Sequence, residues 1–168
     1  VSAIIGANDS IRIPEWAGRI DYEGELAVII GKAGHNIKEE DALSHVLGYS
    51  IMNDVTAREL QNSDGQWTRA KSFDTFAPFG PAVLITDKMP EDAVISTTLN
   101  GKTVQEASFS QMIFPIPRLI SHISRFATLE PGDVIASGTP QGVGPMKVGD
   151  LVEVHIEGIG SIRNICAN

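Results

Sequence analysis

The longest unbroken apolar run in the sequence is Leu26-Ala27-Val28-Ile29-Ile30, and two glutamates, Glu23 and Glu25, stand at its head. A membrane-spanning helix needs roughly 18 to 20 apolar residues, so no segment of this kind spans a bilayer. The stretch from Gly24 to Ile30 reads instead as an apolar strand. Side chains two residues apart on a strand point to the same face about 7 Å apart. Glu23 and Glu25 would then hold two carboxylates side by side at the strand's mouth. Such neighbours repel unless something positive lies between them, and a hard divalent cation with oxygen ligands is the natural partner. The bland alternative is a solvated strand end, which is the commoner fate of an isolated Glu-x-Glu.

The remaining pattern is sheet-rich. Strand-like stretches run from Tyr49 to Val55, Ala82 to Thr86, Val94 to Leu99, Asp133 to Ala136 and Leu151 to Glu157. Asn100-Gly101 between Thr97-Thr98-Leu99 and Lys102-Thr103-Val104 is a two-residue hairpin signal. Asn36 is placed to cap a helix through Glu39, Glu40, Ala42, Leu43, Val46 and Leu47. A second helix is expected after Pro115 and Pro117, with Leu119, Ile120, Ile123 and Phe126 on one face. With 16 glycines and 9 prolines punctuating 168 residues, an all-helical bundle is excluded and the expected class is α+β. Repeats and low-complexity linkers are absent, so residues 1–168 are read as one domain.

Composition narrows the function. Lys and Arg number 13 against 21 Asp and Glu, a net charge of −8, which argues against a nucleic-acid binder that works through basic patches. The single cysteine, Cys166, rules out an intrachain disulfide or a cysteine-rich zinc site and suggests a cytoplasmic protein. The chain starts at Val1, and Val1 to Ile5 lacks the features of a signal peptide. Nucleotide cofactors lose support too. No glycine has the Gly-x-x-x-x-Gly-Lys-[Ser/Thr] spacing, and Gly142 and Gly144 are followed by Lys147 where a dinucleotide motif needs a third glycine.

A third carboxylate is available in Asp54, at the end of an apolar strand-like run. Arg58 and Gln61 follow it by four and seven residues, a helix-like spacing that would set a guanidinium and an amide on one face beside a metal. The competing reading makes Asp54 a turn residue capping Thr56 to Leu60. Lys71 lies in Ala70-Lys71-Ser72-Phe73-Asp74, where a lysine alone weighs little. The loop Ser137-Gly138-Thr139-Pro140-Gln141-Gly142-Val143-Gly144 follows a strand, so its N–H groups and the Thr139 hydroxyl could hold a carboxylate. The four histidines show no His-x-x-x-His pair and read as structural. Glu153, His155 and Glu157 spread over about 14 Å of one strand and cannot converge on one ion.

Taken in order, Asp21-Tyr22-Glu23-Gly24-Glu25-Leu26, Asn53-Asp54-Val55-Thr56-Ala57-Arg58, Ala70-Lys71-Ser72-Phe73-Asp74 and Ser137-Gly138-Thr139-Pro140-Gln141-Gly142-Val143-Gly144 resemble the fumarylacetoacetate hydrolase family. Gln111-Met112-Ile113-Phe114-Pro115-Ile116-Pro117 and Gly158-Ile159-Gly160-Ser161-Ile162-Arg163-Asn164 resemble its acylpyruvate hydrolase and oxaloacetate decarboxylase branch. The resemblance implies a mixed-sheet β-roll of α+β type, usually a homodimer. It implies Glu23, Glu25 and Asp54 as ligands of Mg²⁺ or Mn²⁺, with Ca²⁺ a third hard cation of the same kind. It further implies Lys71 as the active-site lysine, and Arg58, Gln61 and Thr139 as substrate contacts.

The function implied is metal-dependent cleavage or rearrangement of small 2-oxo acids. C–C hydrolysis of acylpyruvate-like diketo acids and decarboxylation of oxaloacetate share one need, the stabilisation of an enolate. The family's His-x-x-Glu pair lies in an N-terminal lid upstream of the first glutamate, and this sequence carries no counterpart. Two alternatives stay open: a lid segment that precedes Val1, or a lidless chemistry in which decarboxylation or enol–keto isomerisation is favoured. A non-catalytic metal-binding subunit is the reading from a different class.

Overall fold

The structure, a computed structural model, describes residues 2–168. Among the described residues, thirteen strands and three short α-helices, beside three 3₁₀ turns, follow in the order β1 (Ile4–Ile5), β2 (Ser10–Arg12), β3 (Ile20–Tyr22), β4 (Gly24–Ile30), β5 (Val46–Asn53), β6 (Thr56–Ala57), α1 (Arg58–Asp64), α2 (Thr68–Lys71), β7 (Ala77–Leu84), β8 (Val94–Leu99), β9 (Lys102–Ser108), α3 (Ile116–Ser124), β10 (Val134–Ala136), β11 (Gly144–Met146), β12 (Leu151–Ile156) and β13 (Gly160–Ala167). They form three sheets, ordered β1-β7-β5-β4-β10, β11-β3-β6 and β2-β13-β12-β8-β9. Parallel pairs (β1 with β7, β2 with β13) lie beside antiparallel ones, so the sheets are mixed and the class is α+β as expected.

Strand β4 is buried along its whole length, which its apolar run requires. Leu26, Val28 and Ile30 enter one core with Ile51, Ile95, Ile120, Ile135, Val154 and Ile156. A second core gathers Ile11, Ile20, Tyr22, Val55, Phe76, Met146 and Val152. Glu23 falls between Tyr22 of the second core and Leu26 of the first, at the junction of two sheets. On one side β4 pairs with β5 from Gly24↔Asn53 to Ile30↔Val46. On the other side β10 reaches only as far as Ala27, so the mouth of β4 has no strand on that edge.

The Asn100-Gly101 hairpin forms as expected, both residues at positive φ (53° and 80°) as a tight two-residue turn demands. Three expectations are corrected. Asn36 caps no helix: it sits at φ 54°, and Glu39–His45 form a 3₁₀ turn without a side-chain cap. The tight turn returns His45 O to the N–H groups of Gly31 and Lys32 (2.7 and 3.2 Å), and Val46 and Leu47 then enter β5. The strand expected at Ala82–Thr86 begins at Ala77 instead. Its prolines hide it from a propensity reading, and where the β5–β7 register shifts between Tyr49 and Ile51 the single Ser50 hydroxyl proton is shared between Gly80 O and Ala82 O. Phe126 leaves the expected helix face, since α3 ends at Ser124, and the residue is 73% exposed. No helix among the described residues is long and apolar enough to cross a membrane.

Candidate metal centre

The β4–β5 ladder continues one step past Gly24↔Asn53, with Asp54 N–H donating to Glu23 O at 2.8 Å. That step sets Asp54 opposite Glu23, while strand alternation sets Glu25 beside it. The three side chains each offer an oxygen, and these atoms all lie within 4.8 Å of one another. Among the described residues no histidine or cysteine joins the group. Asn53 fixes the corner by accepting the Glu23 N–H on its Oδ1 at 2.9 Å. Asp54 is not a helix cap, because α1 begins at Arg58 without a side-chain cap.

Cations frame the carboxylates on one side. Lys71 Nζ, from the end of α2, bonds Glu23 Oε2 (3.0 Å), Asp54 Oδ2 and Thr56 Oγ1 (3.0 Å). Arg58, at the start of α1, donates from Nε to Asp21 Oδ2 (2.9 Å) and from its terminal nitrogens to Gln61 Oε1 (2.5 Å) and Glu23 Oε1. Three of the guanidinium's five N–H groups are thereby committed to the protein. Gln61 reaches the carboxylates only through Arg58. Asp21 is fully buried between Arg58 and Arg19, whose Nε bonds it at 2.6 Å. Burial disfavours the charge of Arg58 and of Lys71, but the acids beside them outweigh it, so both pKa values are raised. Lys71 is therefore an ammonium at neutral pH.

Glu25 is held differently. The Gly138 N–H, from the loop after β10, donates to its Oε2 at 2.7 Å; the carboxylate has no other hydrogen-bond partner among the described residues. Burial, followed by the charge of Asp54, pushes its pKa up to about 7 despite that bond and Lys71. Burial also raises Asp54, against the pull of Lys71. A largely buried set of three carboxylates, two of them buried and Asp54 half-buried, with an ammonium already standing between two of them, fits a hard divalent cation in chemistry and in charge.

Thr139, the residue after Gly138 on the same loop, makes no hydrogen bond to the carboxylates among the described residues. Its hydroxyl donates to Gly24 O at 2.9 Å and accepts from Gln105 Nε2 at 2.8 Å, so it ties the loop to β4. Asp21 and Gln105 are not singled out by the sequence, whereas the loop N–H groups expected to hold a carboxylate include that of Gly138, which holds Glu25. Asp21 was within reach, since Asp-x-Glu-x-Glu places a third acid on the same alternation. Nothing near Gln105 in the sequence signals its partners.

A profile described as Fumarylacetoacetate (FAA) hydrolase C-terminal matches residues 1–166. The chain belongs to this family. A mitochondrial oxaloacetate tautomerase of Xenopus laevis is 45% identical over 174 residues, covering 97% of this chain and 54% of the frog protein. The crystal structure of a 5-carboxymethyl-2-hydroxymuconate delta-isomerase from Mycobacterium smegmatis superposes with a TM-score of 0.95 at 44% identity, covering 99% of this chain and 66% of that one. A fumarylpyruvate hydrolase from Pseudomonas aeruginosa, solved in complex with Mn²⁺ and pyruvate, gives 0.92 at 32% identity, covering 99% of this chain and 75% of that one. This member of the fumarylacetoacetate hydrolase family thus spans between half and three quarters of the length of these relatives.

A carboxyl whose folded pKa is raised contributes stability that is fully present below its unfolded value and lost as pH rises through the folded one. For Glu25 that window runs from 4.5 to about 7. The metal-free protein is expected to lose thermal stability across this window, and Glu25→Gln to remove much of the loss. Thermal melts at a series of pH values check this, and a variant whose profile runs parallel to wild type contradicts it.

Proposed function

We propose that this chain provides the metal-binding floor of an enzyme that acts on small 2-oxo acids, and that the step its own residues serve is enolisation. The observation that carries the reading is the convergence of Glu23, Glu25 and Asp54 beside a lysine held in its charged form. The names of the relatives support the same substrate class. When bound, Mg²⁺ or Mn²⁺ supplies Lewis-acid charge that lowers the cost of negative charge developing on the substrate.

The residues have separate tasks. Lys71, being an ammonium, donates rather than abstracts a proton. It can hold negative charge on a substrate oxygen or return a proton as the enol becomes the ketone. Arg58 keeps Glu23 turned toward the other two carboxylates and retains two N–H groups for a substrate carboxylate. Gln61 fixes the Arg58 fork. Keto–enol tautomerisation needs one acceptor for the proton on carbon, a part that solvent water can take, and one donor at oxygen, the part Lys71 can take; hydrolysis of acylpyruvate-like C–C bonds asks in addition for a base that activates water for attack. The residues gathered here favour the first, and the same charge stabilisation serves decarboxylation of oxaloacetate.

The test is a metal-replete preparation assayed on enol oxaloacetate, on acylpyruvates and for decarboxylation. A chelator should abolish the activity and Mg²⁺ or Mn²⁺ restore it. Lys71→Met should lower kcat and kcat/KM together by ~2–4 kcal/mol in activation free energy. Metal affinity should not fall in that variant, because the change removes an ammonium that competes for Glu23 and Asp54. A Lys71→Met protein with wild-type turnover, or a chelator-resistant rate, overturns the reading. Tight binding of substrate by an inactive wild-type protein favours a non-catalytic subunit.

We also propose that the protein self-associates as a homodimer. Ile113 and Phe114, 88% and 57% exposed, carry the apolar segment before α3 to the surface, and contiguous exposed apolar area of this kind marks interfaces. Sedimentation at micromolar concentration should give twice the mass of the chain; a single 18.0 kDa species contradicts it.

A further inference from the structure

We propose that Gln105 is a positioning residue for the metal-binding carboxylates, acting through the Gly24 peptide and the loop at residues 137–141. The proposal rests on the reading of Glu23, Glu25 and Asp54 as metal ligands. Gln105 belongs to β9, in a different sheet from β4, and it hydrogen-bonds to none of the three. It is 2% exposed. Its Oε1 accepts the Gly24 N–H at 3.1 Å, and its Nε2 donates to Thr139 Oγ1 at 2.8 Å and to Pro140 O at 2.9 Å. Thr139 Oγ1 donates in turn to Gly24 O at 2.9 Å. The result is a closed ring that holds both backbone polar groups of the residue lying between two ligands.

The ring answers a specific need. Because β10 stops opposite Ala27, the N–H and C=O of Gly24 have no ladder partner on that edge, and a buried backbone group left unpaired costs about 1–3 kcal/mol. Gln105 and Thr139 take the place of the missing strand. The ring depends on glycine at position 24, where a Cβ would lie 2.4 Å from Thr97 Oγ1 and 3.0 Å from Val154 Cγ1. A side chain there would push β4 away from the facing sheet that carries Gln105.

The same ring sets the loop. Thr139 and Pro140 are tethered to Gln105, and the residue just before them, Gly138, supplies the N–H that holds Glu25 Oε2. Farther along, Tyr22 Oη donates to Gly142 O at 2.9 Å. At Gly142, with φ 103°, a Cβ would meet Val104 O of β9 at 2.2 Å. The loop is thus seated on β9 at two points, with Gln105 the nearer to the carboxylates. Hydrogen bonds are lost with displacements of well under an ångström beyond their range. Loss of the Gln105 amide therefore frees Glu25 from its single donor while leaving all three carboxylates in the chain. Outer partners of this kind typically change metal affinity by 10- to 100-fold.

Calorimetric titration of metal-stripped protein with Mn²⁺, on samples shown to be folded by circular dichroism, separates positioning from mere packing. Gln105→Leu removes the ring's centre. Gln105→Glu keeps its volume and the acceptor for Gly24 N–H while removing the donor toward Thr139 and Pro140. Both should bind Mn²⁺ about 10- to 100-fold more weakly than wild type, with faster hydrogen exchange at the Gly138 amide. Glu106→Ala, an exposed change on the same strand, should leave both readouts unaltered. If Gln105→Leu does not fold, Gln105→Glu and Thr139→Val decide the matter. Mn²⁺ binding that is lost in Glu25→Ala but is wild-type in the folded Gln105 variants overturns the proposal alone. Binding that survives Glu25→Ala overturns the metal reading and this proposal with it.

Discussion

Three carboxylates within 4.8 Å of one another in a buried corner repel by several kcal/mol per pair even at an effective dielectric constant of about 20. The molecule around them is arranged to offset that repulsion. Lys71 and Arg58 approach Glu23 and Asp54 from the helical segments that follow β6, and Asp21 with Arg19 holds Arg58 in place. On the far side Glu25 receives a single backbone N–H and keeps a raised pKa. The compensation is therefore lopsided: the Glu23–Asp54 side is neutralised by fixed cations, and the Glu25 side is left short of positive charge. A bound cation would complete the balance where the protein's own charges stop.

The strand pattern makes this corner possible. The β4–β5 ladder supplies the rigid backbone on which Glu23 and Asp54 face each other, and the early end of β10 opens the edge through which the loop at residues 137–141 reaches Glu25. Loops that carry function on a rigid frame are common, and this one is pinned to both sheets at once. The site thus lies where the two apolar cores meet, with Gly24, Gln105 and Tyr22 making the hydrogen bonds around it.

Much of this was legible in the sequence because it rests on short-range pattern. The bounds of β4 follow from its unbroken apolar run, those of β8 and the Asn100-Gly101 hairpin from strand-forming residues and turn chemistry, and the Glu23–Glu25 pair from strand period. Asp54, Arg58 and Lys71 were named by order of motif, and the fold brings all three to Glu23. What stayed hidden depends on contacts far apart along the chain. Gln105 is 81 residues from Gly24, and no local signal marks an amide that replaces a missing strand. The ring that the Thr139 hydroxyl closes with Gly24 and Gln105 likewise joins residues far apart in the sequence. Asn36 and Phe126 were misplaced because tertiary demands, a tight return at His45 and an early end to α3, override local capping and periodicity.

The central claim is that the carboxylate corner is a divalent-cation site into which Lys71 intrudes when the cation is absent. Crystals grown with Mn²⁺ and measured for anomalous scattering test it most directly. The account predicts one strong anomalous peak in coordination distance, about 2.0–2.4 Å, of an oxygen from each of Glu23, Glu25 and Asp54, with Lys71 Nζ withdrawn from its bridge between Glu23 and Asp54. A corner without a peak at saturating Mn²⁺, with the Lys71 bridge intact, would contradict it.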